Sequence, residues 1–143
     1  MKKALFIVFL ILSCTTKNNS DNINSKVETL ISKMSLKEKI GQMAQINLTV
    51  IAKGPDKWSS YEPLELDIKK TKKAILEYKV GSILNTTNNQ ARSPEVWNKT
   101  INQLQKIAMD ESELKIPIIY GIDGIHGATY TAGATMFPQQ IGT

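Results

Sequence analysis

Two short apolar runs, Val80–Leu84 and Ile116–Gly121, flank a single amphipathic helix pattern, and this spacing constrains the fold more than any other feature of the chain. Strand, helix and strand over roughly 30 residues is the length of a right-handed βαβ unit, whose two strands run parallel. The helix carries its own punctuation. Ser93 stands at the cap, Pro94 at the first helical position and Glu95 in the first turn, with Trp97, Ile101, Leu104 and Ala108 on one face. Parallel strands are covered on both faces, so Ile116, Ile118, Ile119 and Tyr120 are expected to be buried on both sides, with Pro117 tolerated only near the strand's start. Two or three strands do not complete such a sheet, and the chain reads as an unfinished α/β fold.

Upstream, Val27, Leu30, Ile31 and Met34 recur at helical spacing from Lys26. Ser35-Leu36-Lys37-Glu38 then forms a capping box that opens a second helix, with Leu36, Ile40, Met43 and Ala44 as a core-facing stripe up to about Gln45. Asn47 to Ser60 holds a β-branched run, Thr49-Val50-Ile51, followed by the loop signals Gly54-Pro55 and Ser59-Ser60. Pro63 reads as the first residue of a helix through Tyr78, with Leu64, Ile68, Ile75 and Leu76 inward. Lys69, Lys70, Lys72 and Lys73 then form a solvated face rather than a phosphate-binding patch, since no aromatic residues interleave them. Asn85–Gln90 is a polar loop. The Asn-x-Thr/Ser triplets at Asn18, Asn47, Asn85 and Asn98 follow from a high content of Asn and Thr.

The amino terminus reads as an address. Lys2 and Lys3 precede a nine-residue apolar run, Ala4 to Leu12, far short of the ~20 residues that span a bilayer. Residues 1–13 are therefore expected to be a secretory signal peptide. Its end, Ile11-Leu12-Ser13-Cys14, resembles the lipobox of bacterial lipoproteins, which makes Cys14 the lipidated first residue; the plainer alternative is an ordinary signal peptide with a chance cysteine. Residues 14–25, polar and rich in Asn and Ser, are expected to be a solvated tether, and 26–143 the folded part. Of 18 basic residues two lie in the leader, leaving 16 against 13 acidic, a weak case for nucleic acid. One cysteine and one histidine exclude an internal disulfide and a Cys/His zinc cluster, so neither metal nor cofactor is expected.

The chemistry is expected in the loop after the last strand, where Gly121, Gly124 and Gly127 recur every three residues and bring out Asp123 and His126. In parallel α/β barrels the active site lies at the carboxyl ends of the strands, and Asp123 is two residues past such an end. The other acidic residues weighed fall on helix patterns. An ionised carboxylate accepts from two neighbouring hydroxyls at once, which suits a sugar's vicinal diol; a loop aspartate also caps its own turn. His126 fits a general base or sugar ligand, but beside Gly127 it more simply hydrogen-bonds backbone to brace the loop. Esterase, dinucleotide and phosphate-loop motifs are missing from the sequence.

Three separated motifs, "LISKMSLKEKIGQMAQ", "VGSILN" and "IPIIYGIDGIHG" followed by "GATMFPQQIG", resemble the amino-terminal part of family 3 glycoside hydrolases, the β-glucosidases and β-xylosidases. The resemblance implies a retaining, exo-acting hydrolase that removes the terminal non-reducing β-D-glucosyl residue of a β-linked oligosaccharide or glycoside, in carbohydrate catabolism. It also implies a TIM-like (β/α)8 barrel of which residues 26–143 are the truncated amino-terminal portion. The aspartate of the GID motif, here Asp123, is then a ligand for hydroxyls of the terminal sugar, while the nucleophile and the acid/base lie beyond Thr143, so that this stretch alone is inactive. Gly124 stands where alanine is frequent and Ala128-Thr129 replaces a polar loop, which leaves glucose or xylose specificity open. Together with Cys14, the resemblance places the protein outside the cytoplasm, lipid-anchored to a bacterial membrane in the periplasm or at the cell surface. The competing expectation is a non-enzymatic, lipid-anchored sugar-binding or interaction module.

Overall fold

A computed structural model describes residues 19–139, so the signal peptide expected over residues 1–13 and the expected lipidation site Cys14 lie outside the described residues. The chain divides into two units after Ser32. The described part of the first is helix α1, Asn19–Lys33, apart from its last residue. Residues 19–25 are thus helical, where a solvated tether was expected. Ile23 extends the helical spacing of Val27 and Ile31 one turn upstream, and the Thr29 hydroxyl donates to the Ser25 carbonyl at 2.7 Å. No helix among the described residues is long and apolar enough to cross a membrane.

The second unit opens with α2, Leu36–Gln42. Its capping box is complete: the Glu38 amide donates to the Ser35 hydroxyl, and the Ser35 amide donates to the Glu38 carboxylate at 2.9 Å. The helix ends three residues sooner than its periodicity suggests, because Gln45–Asn47 pairs as strand β1. Strands β2, Ser82–Leu84, and β3, Ile119–Gly121, complete a parallel sheet in the order β1-β2-β3. Gln45 stands opposite Ser82, and Ser82 opposite Ile119. Strand β1 escapes sequence reading because three residues are too few to show an alternation.

Between β1 and β2 a single 3-10 turn, Leu48–Val50, follows β1, and the α-helix begins only at Ile68, with Asp67 as the cap, so Pro63 lies outside the helix rather than at its first position. Leu64 and Leu66 are buried there by an irregular segment that runs beside residues 51–53: Asp67 N–H donates to Ile51 O at 2.8 Å, and Lys53 N–H to Glu65 O at 2.9 Å. Helix α3, Ile68–Lys72, continues as a π-helical turn, Lys73–Glu77. Helix α4, Pro94–Lys106, with its Ser93 cap, continues likewise through Ile107–Glu111, and the two π turns pack against each other. Of the lysine run, Lys70 and Lys72 reach Asp67 and Glu111, at 3.8 and 2.8 Å, on an exposed face.

The core gathers Leu48, Ile51, Ile75, Ile83, Leu104 and Ile118, all buried, with Ile46 and Tyr120 packed against it. Ile46, Ile83 and Tyr120 occupy matching positions of the three strands, so the core lies on one face of the sheet. The opposite face carries Gln45, Ser82, Leu84 and Ile119, and Ile119 is 71% exposed. The expected burial of the last strand on both faces therefore fails. Among the described residues only one side of this sheet is covered, and β1 and β3 are its edges. Where a further strand would bond at Ile118, the Gln105 side chain substitutes, accepting from Ile118 N–H at 3.0 Å and donating to its carbonyl at 2.7 Å.

The stripe on α2 departs further from expectation. Ala44 packs on the core, but Leu36, Ile40 and Met43 are exposed, and Met43 is 86% so. The buried residue of α2 is Gly41, where a Cβ would stand 2.5 Å from the Tyr78 and Lys79 carbonyl oxygens. Backbone meets backbone there, and the contact turns the apolar stripe outward.

Candidate functional site

The carboxyl ends of all three strands fall on one edge of the sheet, and the polar residues that follow them gather along it. Asn47 ends β1, Asn85 follows β2 directly, and Asp123 stands two residues past β3.

Asp123 is exposed, but its carboxylate is held. The Asn85 side-chain amide donates to Asp123 Oδ2 at 2.9 Å, and the Asp123 backbone N–H donates to Asn85 Oδ1 at 3.0 Å. The second carboxylate oxygen, Oδ1, has no partner among the described residues and is free to accept from a ligand. Asn85 is locked in turn. Its N–H donates to Gly121 O at 2.8 Å, and its carbonyl accepts from Tyr120 Oη at 2.5 Å. Burial pushes the Tyr120 phenol far above its ordinary value, which keeps the proton that this bond needs. Asn85 takes a left-handed backbone, φ 65°, which asparagine tolerates better than most residues. Sequence reading treated Asn85 as one residue of a polar loop. The available signal was its place, a lone amide at the carboxyl end of a parallel strand, a register away from the aspartate.

His126 sits apart from this clamp. Its Nδ1 pairs with Phe137 O at 3.0 Å and must donate, since a carbonyl only accepts; the Phe137 N–H donates back to His126 O at 3.0 Å. Gly127 beside it has φ 84°, and a Cβ there would stand 2.8 Å from the Phe137 ring. Of the three evenly spaced glycines only Gly127 requires its lack of a side chain in this way. Asp123 and His126 belong to one loop, but no hydrogen bond joins them among the described residues.

The loop is fastened to the β2–α4 connection through Arg92, which sequence reading did not single out. Arg92 N–H donates to Tyr130 O, Ala132 N–H donates to Arg92 O, and Trp97 Nε1 donates to Tyr130 O, at 2.8, 2.8 and 3.0 Å. The guanidinium itself is 7% exposed and bidentate to Glu62, at 2.6 and 2.7 Å, while also donating to Thr87 Oγ1 and O. The Arg92 hydrogen bonds, with help from the Asn88 amide, hold the Glu62 carboxyl below its ordinary value. This cluster ties the segment of Glu62, the β2–α4 connection and the loop after β3 to one another. No group of three or more His, Cys, Asp or Glu side chains comes together among the described residues.

Known proteins share these segments. The chain is 36% identical over 139 residues to a lysosomal beta glucosidase of Dictyostelium discoideum, a match covering 87% of this chain and 16% of that protein. It is 34% identical over 116 residues to a periplasmic beta-glucosidase of Salmonella typhimurium (81% and 12%), and 29% identical over 127 residues to a putative beta-xylosidase of Formosa agariphila (87% and 15%). The chain thus spans less than a fifth of the length of these relatives. The family model of the glycosyl hydrolase family 3 N terminal domain matches residues 35–143, which take in α2, all three strands, Asn85 and Asp123. On that match the chain belongs to glycosyl hydrolase family 3.

Proposed function

We propose that the chain contributes to a retaining, exo-acting β-glucosidase-like hydrolase, and that Asp123 grips hydroxyls of the terminal non-reducing sugar. The observation that carries this is the half-used carboxylate: one oxygen is fixed by Asn85 and the other is open, at the strand edge where barrel enzymes work. A fixed carboxylate loses little freedom on accepting from a sugar hydroxyl, so more of the bond's free energy appears as binding. The names of the three relatives support a β-glycoside as substrate.

The same reading makes the three strands part of a TIM-like (β/α)8 barrel. A sheet with its core on one face, and Gln45, Ser82, half-buried Leu84 and exposed Ile119 on the other, suits a barrel wall whose inner face is filled by strands outside these residues. Retaining hydrolysis needs two carboxyl groups ~5–5.5 Å apart, and we assign both to sequence beyond Thr143. His126 braces the loop through Phe137. Export behind residues 1–13 and anchoring through a lipidated Cys14 complete the proposal, in keeping with the periplasmic relative.

In the enzyme expressed from its complete gene, Asp123→Ala is expected to lower kcat/KM for an aryl β-glucoside by 100-fold or more, the loss of two charge-assisted hydrogen bonds at roughly 1.5–3 kcal/mol each. Asn85→Ala, which leaves the carboxylate but frees it, is expected to cost about tenfold. Unchanged kcat/KM in Asp123→Ala refutes the ligand role.

A further inference from the structure

Beside Asn85 on the strand edge lies a cavity of about 270 Å³ whose walls include Asn47, Thr49, Lys57, Trp58, Thr86 and Asn89. Its size is just below the roughly 300–1,000 Å³ of pockets that hold small ligands. Trp58 is its one aromatic residue, and it is 76% exposed. The turn that presents it is nevertheless firmly built. Asp56 Oδ1 accepts from the N–H groups of Trp58 and Ser59 and from the Ser59 hydroxyl, at 2.8, 2.9 and 3.0 Å. Lys57 Nζ stands 4.8 Å from the indole centroid on one face of the ring, close enough for a cation–π contact. The turn closes onto the body of the protein through Ser60, which exchanges hydrogen bonds with the Asn88 amide at 3.0 Å in each direction.

The amides in the wall divide by what they already hold. Asn88 is spent on Ser60 and Glu62. Asn47 uses only its oxygen, which accepts from Thr49 N–H and hydroxyl at 3.0 and 2.9 Å, and its Nδ2 donor is uncommitted among the described residues. The Asn89 amide is uncommitted among them too, at an exposed position with φ 51°. An indole face with free amide donors beside it matches a pyranose, which has an apolar C–H face and equatorial hydroxyls that accept. Thr86, in the wall, directly follows Asn85, the residue that holds Asp123.

We propose that this cavity is a second sugar subsite, in which Trp58 stacks on a pyranose ring of an oligosaccharide while Asn47 and Asn89 address its hydroxyls. The proposal rests on the glycosidase reading, because it takes the sugar gripped by Asp123 as the neighbouring unit. It makes Trp58 a determinant of chain length: the residue serves substrates of two or more sugar units and is idle for one.

The test measures binding, by calorimetry on the complete protein, of glucose and of a sulfur-linked β-glucotriose that a glycosidase does not cleave. Trp58→Ala is expected to weaken the trisaccharide about tenfold, the stacking of one sugar face, and to move glucose less than twofold. Trp58→Phe should fall between, and the thermal midpoint of both variants should match the wild type, as the side chain is mostly solvent-exposed. Equal losses for the two ligands, or none, overturn the subsite. If glucose binds and Asp123→Ala abolishes it, yet the trisaccharide binds no tighter than glucose, the subsite falls and the glycosidase reading stands. If the wild type binds neither ligand, both fall.

Discussion

Helix α2 and the loop that follows β2 exchange the places their compositions suggest. The helix offers an apolar stripe, and Leu36, Ile40 and Met43 lie outside; the loop offers threonines and an arginine, and Thr86, Thr87 and Arg92 lie inside. The difference shows that burial follows satisfied contacts rather than polarity. In the loop each buried polar atom finds a partner, and no buried side-chain nitrogen or oxygen among the described residues lacks one. On α2 the closest approach is made by the glycine backbone, and the geometry of that contact decides which way the larger side chains point.

The sharpest way to break the comparison is to remove the group that makes the loop's burial affordable. Arg92→Met keeps the backbone bonds to Tyr130 and Ala132 and the side chain's length, but removes the charged donors from Thr87 O and Oγ1, leaving them Gln90 N–H and the Ser60 hydroxyl, and takes away the cation that pairs with Glu62, leaving it the Asn88 amide. The expected loss is about 2–4 kcal/mol of stability, read from denaturant unfolding. A loss below ~0.5 kcal/mol means that the buried threonines do not depend on the guanidinium.

Glu62→Gln tests the same cluster from its exposed side and should do less, about 1 kcal/mol at pH 7, because the carboxylate is partly open to water. Its signature is the pH dependence. The folded state holds Glu62 below its ordinary value of 4.5. Its contribution to stability is therefore present above that value and disappears as pH falls through the lower, folded value. The gap in thermal midpoint between wild type and variant is expected to be widest near neutrality and to close on acidification below pH 4.5. A gap that stays constant to pH 3 assigns the effect to shape rather than charge.

The two regions also show what a sequence conveys. The βαβ unit was legible because its signals are local and redundant: Ser93, Pro94 and Glu95 mark the helix start, and Trp97, Leu104 and Ala108 its buried face. Asp123 was legible by position, since two residues past a parallel strand is a place with chemical meaning. Asn85 and Arg92 were not, because their importance lies in partners 38 and 30 residues away. No periodicity marks a side chain whose decisive partner is so far along the chain. The stripe on α2 misled for the converse reason: Leu36, Ile40 and Met43 have helical spacing, but spacing does not say which neighbour Gly41 admits to close contact.

The smallest expected effect is therefore the one most informative about α2. The helix is attached by polar and backbone contacts: Gly81 N–H donates to Gly41 O at 3.0 Å, Gln42 Nε2 to Lys79 O at 3.4 Å, and Lys79 reaches Glu38 at 3.6 Å. Met43 takes no part in these contacts. Met43→Lys is expected to change stability by less than about 0.5 kcal/mol, since it alters a surface side chain at a helix end, where a positive charge is mildly favoured. Measured in the complete protein, a loss above ~2 kcal/mol would mean that the stripe is covered there, and the contrast between an exposed apolar helix and a buried polar loop would belong to these residues alone. A change within ~0.5 kcal/mol leaves Gly41 as the point that positions α2 against the sheet.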